Sequence, residues 1–270
     1  MAPPLPRLLT IAGSDSGGGA GIQADLKTFA ALNTYGMSAI TAVTAQNTVA
    51  VTAVHELPAD FVAAQIDAVA TDIGIDAAKT GMLANAEIVE AVAQRVRAHG
   101  IANLVVDPVM VSKSGASLLH PSAQAALRNS LLPLALIVTP NAPEAAAITG
   151  LEVTNEAEAR DAARAIQAMG ARCVLVKGGH LAGEETLDTF FDGTHFETLR
   201  APRIATSNTH GTGCTYSAAI AAYLGKGHEP FEAVQAVQAA RAYLQQAIET
   251  SFPLGSGHGP LNHLWPFQEA

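Results

Sequence analysis

A glycine turn in the last third of the chain has the clearest chemical potential. Residues 208–215 are Asn-Thr-His-Gly-Thr-Gly-Cys-Thr, and an alanine-rich run of helix-forming residues follows them. Glycines permit a tight turn, and the first turn of a helix carries unpaired N–H groups and a partial positive charge. The pattern therefore predicts an anion site at a helix N-terminus, with Cys214 on its first turn. A plain glycine-rich loop with a small buried cysteine is the structural alternative, because short glycine motifs often match by chance.

Further polar residues occur where apolar, strand-like runs end. Asp107, Asn141 and Lys177 each stand at such an end, and Glu144 follows Asn141 by three residues, on one face of a helix start. Ligands of open α/β sheets bind beyond the carboxyl ends of the strands, so these residues would share one rim. Oxygen ligands suited to Mg²⁺, a mobile lysine charge and an anion-binding helix are what phosphoryl transfer from a nucleotide requires. Taken singly, each residue also fits an ordinary turn or helix start.

The elements that must position these residues follow from hydrophobic periodicity. Strands alternate with helices, which predicts an α/β fold with a mainly parallel sheet covered on both faces. The predicted strands are residues 8–12, 37–45, 49–55, 77–80, 103–106, 134–138 and 172–176, followed by a hairpin of 186–191 and 194–199. The predicted helices are 22–32, 58–70, 155–169 and 230–247, one between Asn85 and Gly100, one through Glu144 to Gly150, and one after the glycine turn; the tail from Phe252 is expected to be irregular. No linker or repeat interrupts this order, so we expect a single domain over residues 1–270.

A second glycine-rich loop occupies residues 13–21, between the first strand and the first helix. Strand, glycine loop and helix form the first half of a βαβ unit. The loop fits neither the dinucleotide-binding motif with its following acidic residue nor the P-loop motif, so both interpretations are rejected.

Composition excludes several classes of partner. The net charge is −9, which argues against nucleic acid or an anionic membrane as a partner. No window approaches the ~20 apolar residues that a membrane span needs, and the apolar run at residues 8–12 is too short for a signal-peptide core. The two cysteines form no disulfide or zinc pattern, which suits a reducing cytoplasm, so we expect a cytoplasmic protein.

The chain resembles the ribokinase-like superfamily and, within it, the hydroxymethylpyrimidine/phosphomethylpyrimidine kinases of thiamine biosynthesis. The matching blocks run in order over almost the whole chain: residues 10–15, 18–28, 44–48, 79–82, 107–110, 113–115, 139–145, 177–180 and the glycine turn. The resemblance implies a three-layer α/β/α sandwich, usually a homodimer. It also implies phosphorylation of 4-amino-5-hydroxymethyl-2-methylpyrimidine and then of its monophosphate, both from Mg·ATP.

The resemblance implies roles for individual residues. Gly211, Thr212, Gly213 and Cys214 match the anion hole for the transferred phosphate, with Lys177 beside it. The residue matching Gln46 reads the amino and ring nitrogens of the pyrimidine, and an amide is suited to such an edge. The remaining assignments are Gly13, Ala20, Asp25, Met82 and Val109 for the substrate, Asp107 and Glu144 for the metal, and Asn141, Lys177, Thr209 and His210 for the nucleotide.

Cys214 stands where the wider superfamily usually has an aspartate that acts as the base. It is either the base or a part of the anion hole, and we expect the helix terminus and bound cations to lower its pKa. Tyr216 stands where this branch usually has leucine; we expect it to affect packing, and a contact with the nucleotide is the alternative. Two rival functions stay open: a pyridoxal kinase with the same cysteine turn, and a non-catalytic pyrimidine-binding sensor, against which intact Asp107, Glu144 and Lys177 argue.

Overall fold

The computed structural model describes residues 5–110, 115, 118–120, 122–227 and 233–268. The strands in these residues are β1 Arg7–Asp15, β2 Tyr35–Gln46, β3 Val51–Glu56, β4 Ala77–Thr80, β5 Leu104–Val106, β6 Ile137–Val138, β7 Cys173–Val176, β8 Glu185–Phe191 and β9 Phe196–Pro202. The α-helices are α1 Gly21–Ala31, α2 Ala59–Asp72, α3 Ala86–Ala98, α4 Ala123–Ala126, α5 Ala142–Thr149, α6 Glu156–Ala168, α7 Thr212–Gly225 and α8 Ala233–Glu249.

One sheet contains all of these strands, in the order β3-β2-β1-β4-β5-β6-β7-β8-β9. The central part of the sheet, in the order β2-β1-β4-β5-β6-β7, is parallel. β3 at one edge and β8 and β9 at the other pair antiparallel. Side chains alternate between two buried cores: Leu9 and Ile11 of β1 pack under α2, α3, α5 and α6, whereas Leu8 packs under α1, α7 and α8. The predicted α/β/α sandwich with a mainly parallel sheet is confirmed.

Several local predictions are confirmed by their contacts. The helix predicted to begin at Asn85 is α3, and the Asn85 side chain caps it by accepting a hydrogen bond from the backbone N–H of Ile88. Gly150 ends α5 with φ +75°, a left-handed conformation that favours glycine. The strands β8 and β9 pair from Phe191 opposite Phe196, on either side of the predicted turn.

Other boundaries differ for physical reasons. The predicted strand 134–138 is reduced to the two residues of β6, because a tight 3-10 turn at Leu132–Leu134 takes up its start. β1 runs beyond the predicted 8–12 and pairs with β2 as far as Asp15, so the glycine loop begins later than expected. Helix α4 and the π-helical turn Leu127–Leu131 that follows it were not predicted. Pro58 caps α2 rather than forming its first residue.

Some predictions on the fold fall on residues that the structure does not describe, and one concerns membrane-spanning helices. Lys113, Ser114 and Pro230 lie outside the described residues, so the start of the helix predicted from 230 is not located; its described part is α8. None of the described helices is both long and apolar enough to cross a membrane.

Candidate functional site

A cleft of about 710 Å³ opens at the carboxyl ends of the parallel strands. Four parallel strands contribute residues at or just after their ends: Gln46 from β2, Met82 after β4, Asp107 after β5 and Lys177 after β7. Every residue that the sequence assigned to the site lines this cleft, with the exception of Asp25. The prediction that residues at the strand ends lie on one rim is therefore confirmed for the position of these residues.

One end of the cleft is built around the start of α7. Gly211 precedes the helix with φ +84°, no side-chain hydrogen bond caps the helix, and residues 211–214 line the cleft. The Lys177 ammonium lies 2.8 Å from Oδ1 of Asp107. A Cβ added to Gly213 would lie 3.3 Å from the Lys177 Nζ and 3.7 Å from Oδ2 of Asp107, so this ion pair sits against the helix start. Amides and a lysine thus supply positive charge where an anion can bind.

Glu144 is a buried carboxylate at the start of α5, not the surface residue that a helix start usually carries. It forms a capping box with Asn141: the Asn141 N–H donates to Oε2 of Glu144 over 2.8 Å, and the Glu144 N–H donates to Oδ1 of Asn141 over 2.9 Å. Burial raises the pKa of Glu144 to about 7; Lys177 opposes this rise and Asp107 adds to it. The group therefore changes charge close to neutral pH.

Asp107 and Glu144 are the acids of this end of the cleft, and both act on the charge of Lys177. The described residues hold no group of three or more histidine, cysteine, aspartate or glutamate side chains placed to bind a metal ion. Mg²⁺ usually takes one or two carboxylates and completes its shell with water and substrate phosphates. The two acids present fit a magnesium ion that binds together with a nucleotide.

The other end of the cleft centres on Gln46. Its Nε2 lies 3.4 Å from Nε2 of His210, and its Oε1 accepts a hydrogen bond from the Thr44 hydroxyl over 3.2 Å. His210 Nε2 is in turn 2.8 Å from Oδ2 of Asp15. His210, which the sequence assigned to the nucleotide, is thus placed beside the residue assigned to the pyrimidine ring.

Asp15 is a site residue that the sequence assignments missed. Its carboxylate accepts hydrogen bonds from the backbone N–H groups of Gly17, Gly19 and Ala20, so it organises the first glycine loop. Burial raises the pKa of Asp15, but the hydrogen bonds from His210 and from the loop amides outweigh it and hold the pKa below its usual value. An acid at the start of a glycine-rich run was the available signal, because carboxylates commonly accept from nearby loop amides.

The two glycine turns pack against each other with almost no space between them. A Cβ at Gly211 would overlap the carbonyl oxygen of Gly19, and a Cβ at Gly19 would overlap the ring of His210. A Cβ at Gly13 would lie 3.1 Å from the Met82 sulfur. Glycine is therefore required here for close approach, which is how the cleft can have backbone walls on this side.

Cys214 lies partly exposed on the first turn of α7, and the Gly21 backbone acts to lower the pKa of its thiol. Burial raises the pKa of the Cys214 thiol to about 11, with Lys79 opposing the rise and Asp25 adding to it. This direction is opposite to the expected lowering. A helix terminus alone does not compensate for the loss of water around the sulfur.

Asp25, which the resemblance assigned to the substrate, is not among the residues that line the cleft. Its carboxylate is fully buried, with the Lys79 ammonium 2.9 and 3.0 Å from its two oxygens and the Thr10 hydroxyl donating over 2.6 Å. Lys79 borders the cleft in its place. A lysine inside the apolar run of β4 was a signal for this residue, because fully buried lysines are rare unless they are paired.

A third group of polar residues borders the cleft beside α7 and α8. Tyr216 is 1% exposed and belongs to the core under these helices, as expected for a packing residue. Near it, Arg241 pairs with Asp188 over 3.0 Å, and Asp188 accepts a hydrogen bond over 2.8 Å from the N–H of Gly178, directly after Lys177. β8 thus holds the backbone turn that carries Lys177.

Comparison with known proteins agrees with this geometry. The family model described as phosphomethylpyrimidine kinase matches residues 15–262. A hydroxymethylpyrimidine/phosphomethylpyrimidine kinase from Rhizobium meliloti is 55% identical over 258 residues, which are 94% of this chain and 96% of that protein. A thiamine biosynthesis bifunctional protein from Geobacter sulfurreducens is 51% identical over 97% of this chain, and the chain spans 53% of that longer protein.

Solved structures of vitamin kinases share the fold. A Bacillus subtilis pyridoxal kinase in complex with ADP has a TM-score of 0.89 and 42% identity, over 96% of this chain and 97% of its own. A Staphylococcus aureus pyridoxal kinase with AMP-PCP and pyridoxal has a TM-score of 0.88 and 38% identity, over 97% and 94%. A Clostridium difficile phosphomethylpyrimidine kinase has a TM-score of 0.79 and 45% identity, over 90% and 99%. With its fold, its cleft and a match over most of its length, the chain belongs to the phosphomethylpyrimidine kinase family.

Proposed function

We propose that this chain transfers a phosphoryl group from ATP to the hydroxymethyl group of 4-amino-5-hydroxymethyl-2-methylpyrimidine, and a second one to the resulting monophosphate. The observation that carries the proposal is the division of one cleft into two ends. The start of α7 with Lys177 and Asp107 forms an anion-binding end, and Gln46 with Met82 forms an end suited to a flat nitrogen heterocycle. The family match agrees with both ends.

At the anion-binding end, catalysis is a matter of position and charge. The first-turn amides of α7 and the Lys177 ammonium would hold the transferred phosphoryl group, whose negative charge they balance. The same end accepts either a free hydroxymethyl group beside the γ-phosphate or a substrate phosphate, which accounts for two successive transfers. Bound Mg²⁺ would add positive charge at the phosphates, with Asp107 and Glu144 holding it.

At the ring end, the Gln46 amide offers one donor and one acceptor to the edge of the pyrimidine. Thr44 and His210 contact that amide and restrict its rotation. Met82 and Val109 line the cleft and would pack against the faces of the ring. Cys214, on the first turn of α7, would accept the proton of the hydroxyl as its oxygen attacks the γ-phosphorus.

The proposal includes properties of the whole protein. We expect a homodimer that works in the cytoplasm, with ATP and Mg²⁺ as its nucleotide and metal. Relatives crystallised with ADP and AMP-PCP support the nucleotide. Sedimentation of the purified protein tests the oligomeric state.

Mass spectrometry of the products tests the function directly. Purified protein with hydroxymethylpyrimidine and Mg·ATP should form the monophosphate and then the diphosphate. Supplying the monophosphate alone should yield the diphosphate. If the reaction stops at the monophosphate, the protein is a single-step kinase, and an absence of any ATP-dependent product would favour the non-catalytic sensor.

A pyridoxal kinase is the second candidate, because two of the similar solved structures are pyridoxal kinases with TM-scores of 0.89 and 0.88. Both substrates are flat nitrogen heterocycles with a hydroxymethyl group. Turnover of pyridoxal and of hydroxymethylpyrimidine, measured side by side, separates the two, and we expect the larger kcat/KM for the pyrimidine.

A further inference from the structure

The Gln46 amide has a donor at one corner and an acceptor at the other, and its neighbours determine which corner is which. The oxygen and the nitrogen exchange places when the amide turns over, so their positions follow from the protons on the groups around them. One corner lies 3.4 Å from Nε2 of His210, and the other lies 3.2 Å from the hydroxyl oxygen of Thr44. The other partners of His210 and Thr44 show where those protons are.

The His210 nitrogen that faces Gln46 carries a proton. It lies 2.8 Å from Oδ2 of Asp15, and an ionised carboxylate only accepts hydrogen bonds. The same oxygen accepts from the backbone N–H groups of Gly19 and Ala20, and such bonds favour the ionised carboxylate. With three donors on it, this oxygen has no place left for the amide nitrogen. His210 therefore presents an N–H to Gln46, and the amide oxygen is the corner that suits it.

The Thr44 hydroxyl acts as an acceptor toward the amide. A hydroxyl has one proton, and the Thr44 oxygen lies 2.8 Å from the carbonyl oxygen of Ser14 but 3.2 Å from the amide of Gln46. A carbonyl oxygen only accepts, so it takes the proton in the shorter contact. The corner of the amide beside Thr44 is then the nitrogen, which donates to the hydroxyl oxygen. Both neighbours of Gln46 thus require the same orientation.

The ring of His210 is held in one place by its surroundings. The residue is 8% exposed, and a Cβ added to Gly19 would overlap the ring. Its backbone N–H donates to the carbonyl oxygen of Gly259 over 3.0 Å. Turning the ring over would break its bond to Asp15, so the N–H stays beside Gln46.

We propose that His210, held by Asp15, is a positioning residue that keeps the amide oxygen of Gln46 on its own side and the nitrogen on the side of Thr44. The amide then accepts from an amino group and donates to the ring nitrogen next to it, which is the pattern of a 4-aminopyrimidine edge. A 4-oxopyrimidine has a carbonyl and a ring N–H in these places and meets like groups. The inference rests on the proposed function in one respect, namely that Gln46 contacts the edge of the ring.

Calorimetric binding of two ligands to the full protein, without nucleotide, tests this role. The ligands are 4-amino-5-hydroxymethyl-2-methylpyrimidine and its 4-oxo analogue, and the stoichiometry reports how much of each variant is folded. The wild type should bind the amino compound more tightly by about tenfold or more, because the 4-oxo edge leaves buried polar groups unpaired. A wild-type protein with this preference but without ATP-dependent product would refute the proposed function alone, whereas equal Kd values would overturn the inference alone.

His210→Phe keeps a flat ring against Gly19 but removes the N–H, so the amide is free to turn over. It should weaken binding of the amino compound about 2–10-fold and strengthen binding of the 4-oxo analogue, so that the preference falls by about fivefold or more. His210→Gln, which returns an N–H donor toward Asp15, should restore part of the preference. The matched control is His258→Phe, because that exposed histidine contacts the carbonyl oxygen of Ser207; the preference there should equal that of the wild type.

A double-mutant cycle separates positioning from direct contact with the ligand or from general packing. If His210 acts through the amide, His210→Phe should change the preference by less than about twofold in a Gln46→Ala background. An equal loss of preference in both backgrounds would overturn the proposal, and so would an unchanged preference in His210→Phe alone. Weaker binding of AMP-PCP with an unchanged preference would instead place His210 at the nucleotide.

Nitrogen NMR of histidine-labelled wild-type protein gives a test that needs no variant to fold. The signals of His210, assigned by their absence from His210→Gln, should show a proton on Nε2 in the free protein. A bare Nε2 would remove the N–H on which the orientation of Gln46 depends, and that result would also overturn the proposal.

Discussion

Replacing Glu144 with glutamine should make the protein more stable and less active. Because the pKa of this carboxylate is about 7 rather than 4.5, the folded chain must keep a charge in a buried place above neutral pH. Each pH unit of pKa is worth about 1.4 kcal/mol, so ionised Glu144 costs the folded state about 3 kcal/mol above pH 7. Glutamine removes that cost but gives up one amide acceptor, so we expect a net gain of about 1–3 kcal/mol.

The sign and the pH window follow from proton linkage. Between pH 4.5 and 7 the folded state binds more protons at Glu144 than the unfolded state does, so wild-type stability falls through this window relative to the Glu144→Gln variant. Urea unfolding at pH 4.5, 6, 7 and 8 measures the difference. The variant should match the wild type most nearly at pH 4.5 and exceed it most at pH 8. Its activity with Mg·ATP should fall if Glu144 holds the metal as proposed.

Glu158 provides the matched control, because it also follows a capping asparagine by three residues. Asn155 accepts from the Glu158 N–H, but the Glu158 carboxylate is less buried than that of Glu144 and accepts from Thr154 instead of completing a capping box. The hydrogen bonds from Thr154 lower the pKa of Glu158, so Glu158→Gln should lose stability above pH 4.5 rather than gain it. Equal, pH-independent effects of Glu144→Gln and Glu158→Gln would refute the reasoning that burial sets the charge state of Glu144.

Three further predictions concern the cleft walls. Gln46→Ala should raise the KM for the pyrimidine about 2–10-fold and leave the KM for ATP unchanged, because a lost neutral hydrogen bond costs about 0.5–1.5 kcal/mol. An unchanged KM for the pyrimidine would show that Gln46 does not contact the substrate. Cys214→Ala and Cys214→Ser should lower kcat by ~10²–10⁴-fold with partial rescue by Cys214→Asp, whereas mild effects of Ala and Ser with a harmful Asp would assign Cys214 to the anion hole alone. Gly211→Ala should lower the stability to urea by more than Gly150→Ala does. Both glycines have positive φ, which costs ~1–2 kcal/mol for alanine, but a Cβ at Gly150 meets nothing within 4 Å, whereas one at Gly211 overlaps Gly19. Equal losses of stability would mean that the backbone at Gly19 moves aside at little cost.

The layer order and the rim of the cleft could be predicted from the sequence, because they depend on patterns along the chain. Buried parallel strands are apolar runs, and their ends are marked by polar residues such as Asp107 and Lys177. β6 was predicted too long since the apolar residues before it are equally suited to a 3-10 turn, and periodicity does not distinguish short buried strands from other buried segments.

Charge states and pairings within the cleft could not be predicted in the same way. Asp25 and Lys79 are 54 residues apart, and nothing in either local sequence shows that they pair below the cleft. We expected a lowered Cys214 pKa because the sequence shows the helix terminus. Burial, which raises that pKa, depends on how α1, β4 and α7 pack together. The partner of His210 is Asp15, 195 residues away, and only the folded sheet brings them together.

That last separation determines when the site can form during folding. One wall of the cleft contains both the first glycine loop and the turn near residue 211. Backbone hydrogen bonds also link His258 to Thr48 and Gly259 to His210. Contacts between such distant segments require closure of a loop that includes most of the chain, and they form slowly for that reason. In a chain still emerging from the ribosome, the cleft therefore stays incomplete until the segments around residues 210 and 259 have been made. Ligand binding reports completion of the whole fold, and a pyrimidine or nucleotide present during refolding should stabilise only the final step.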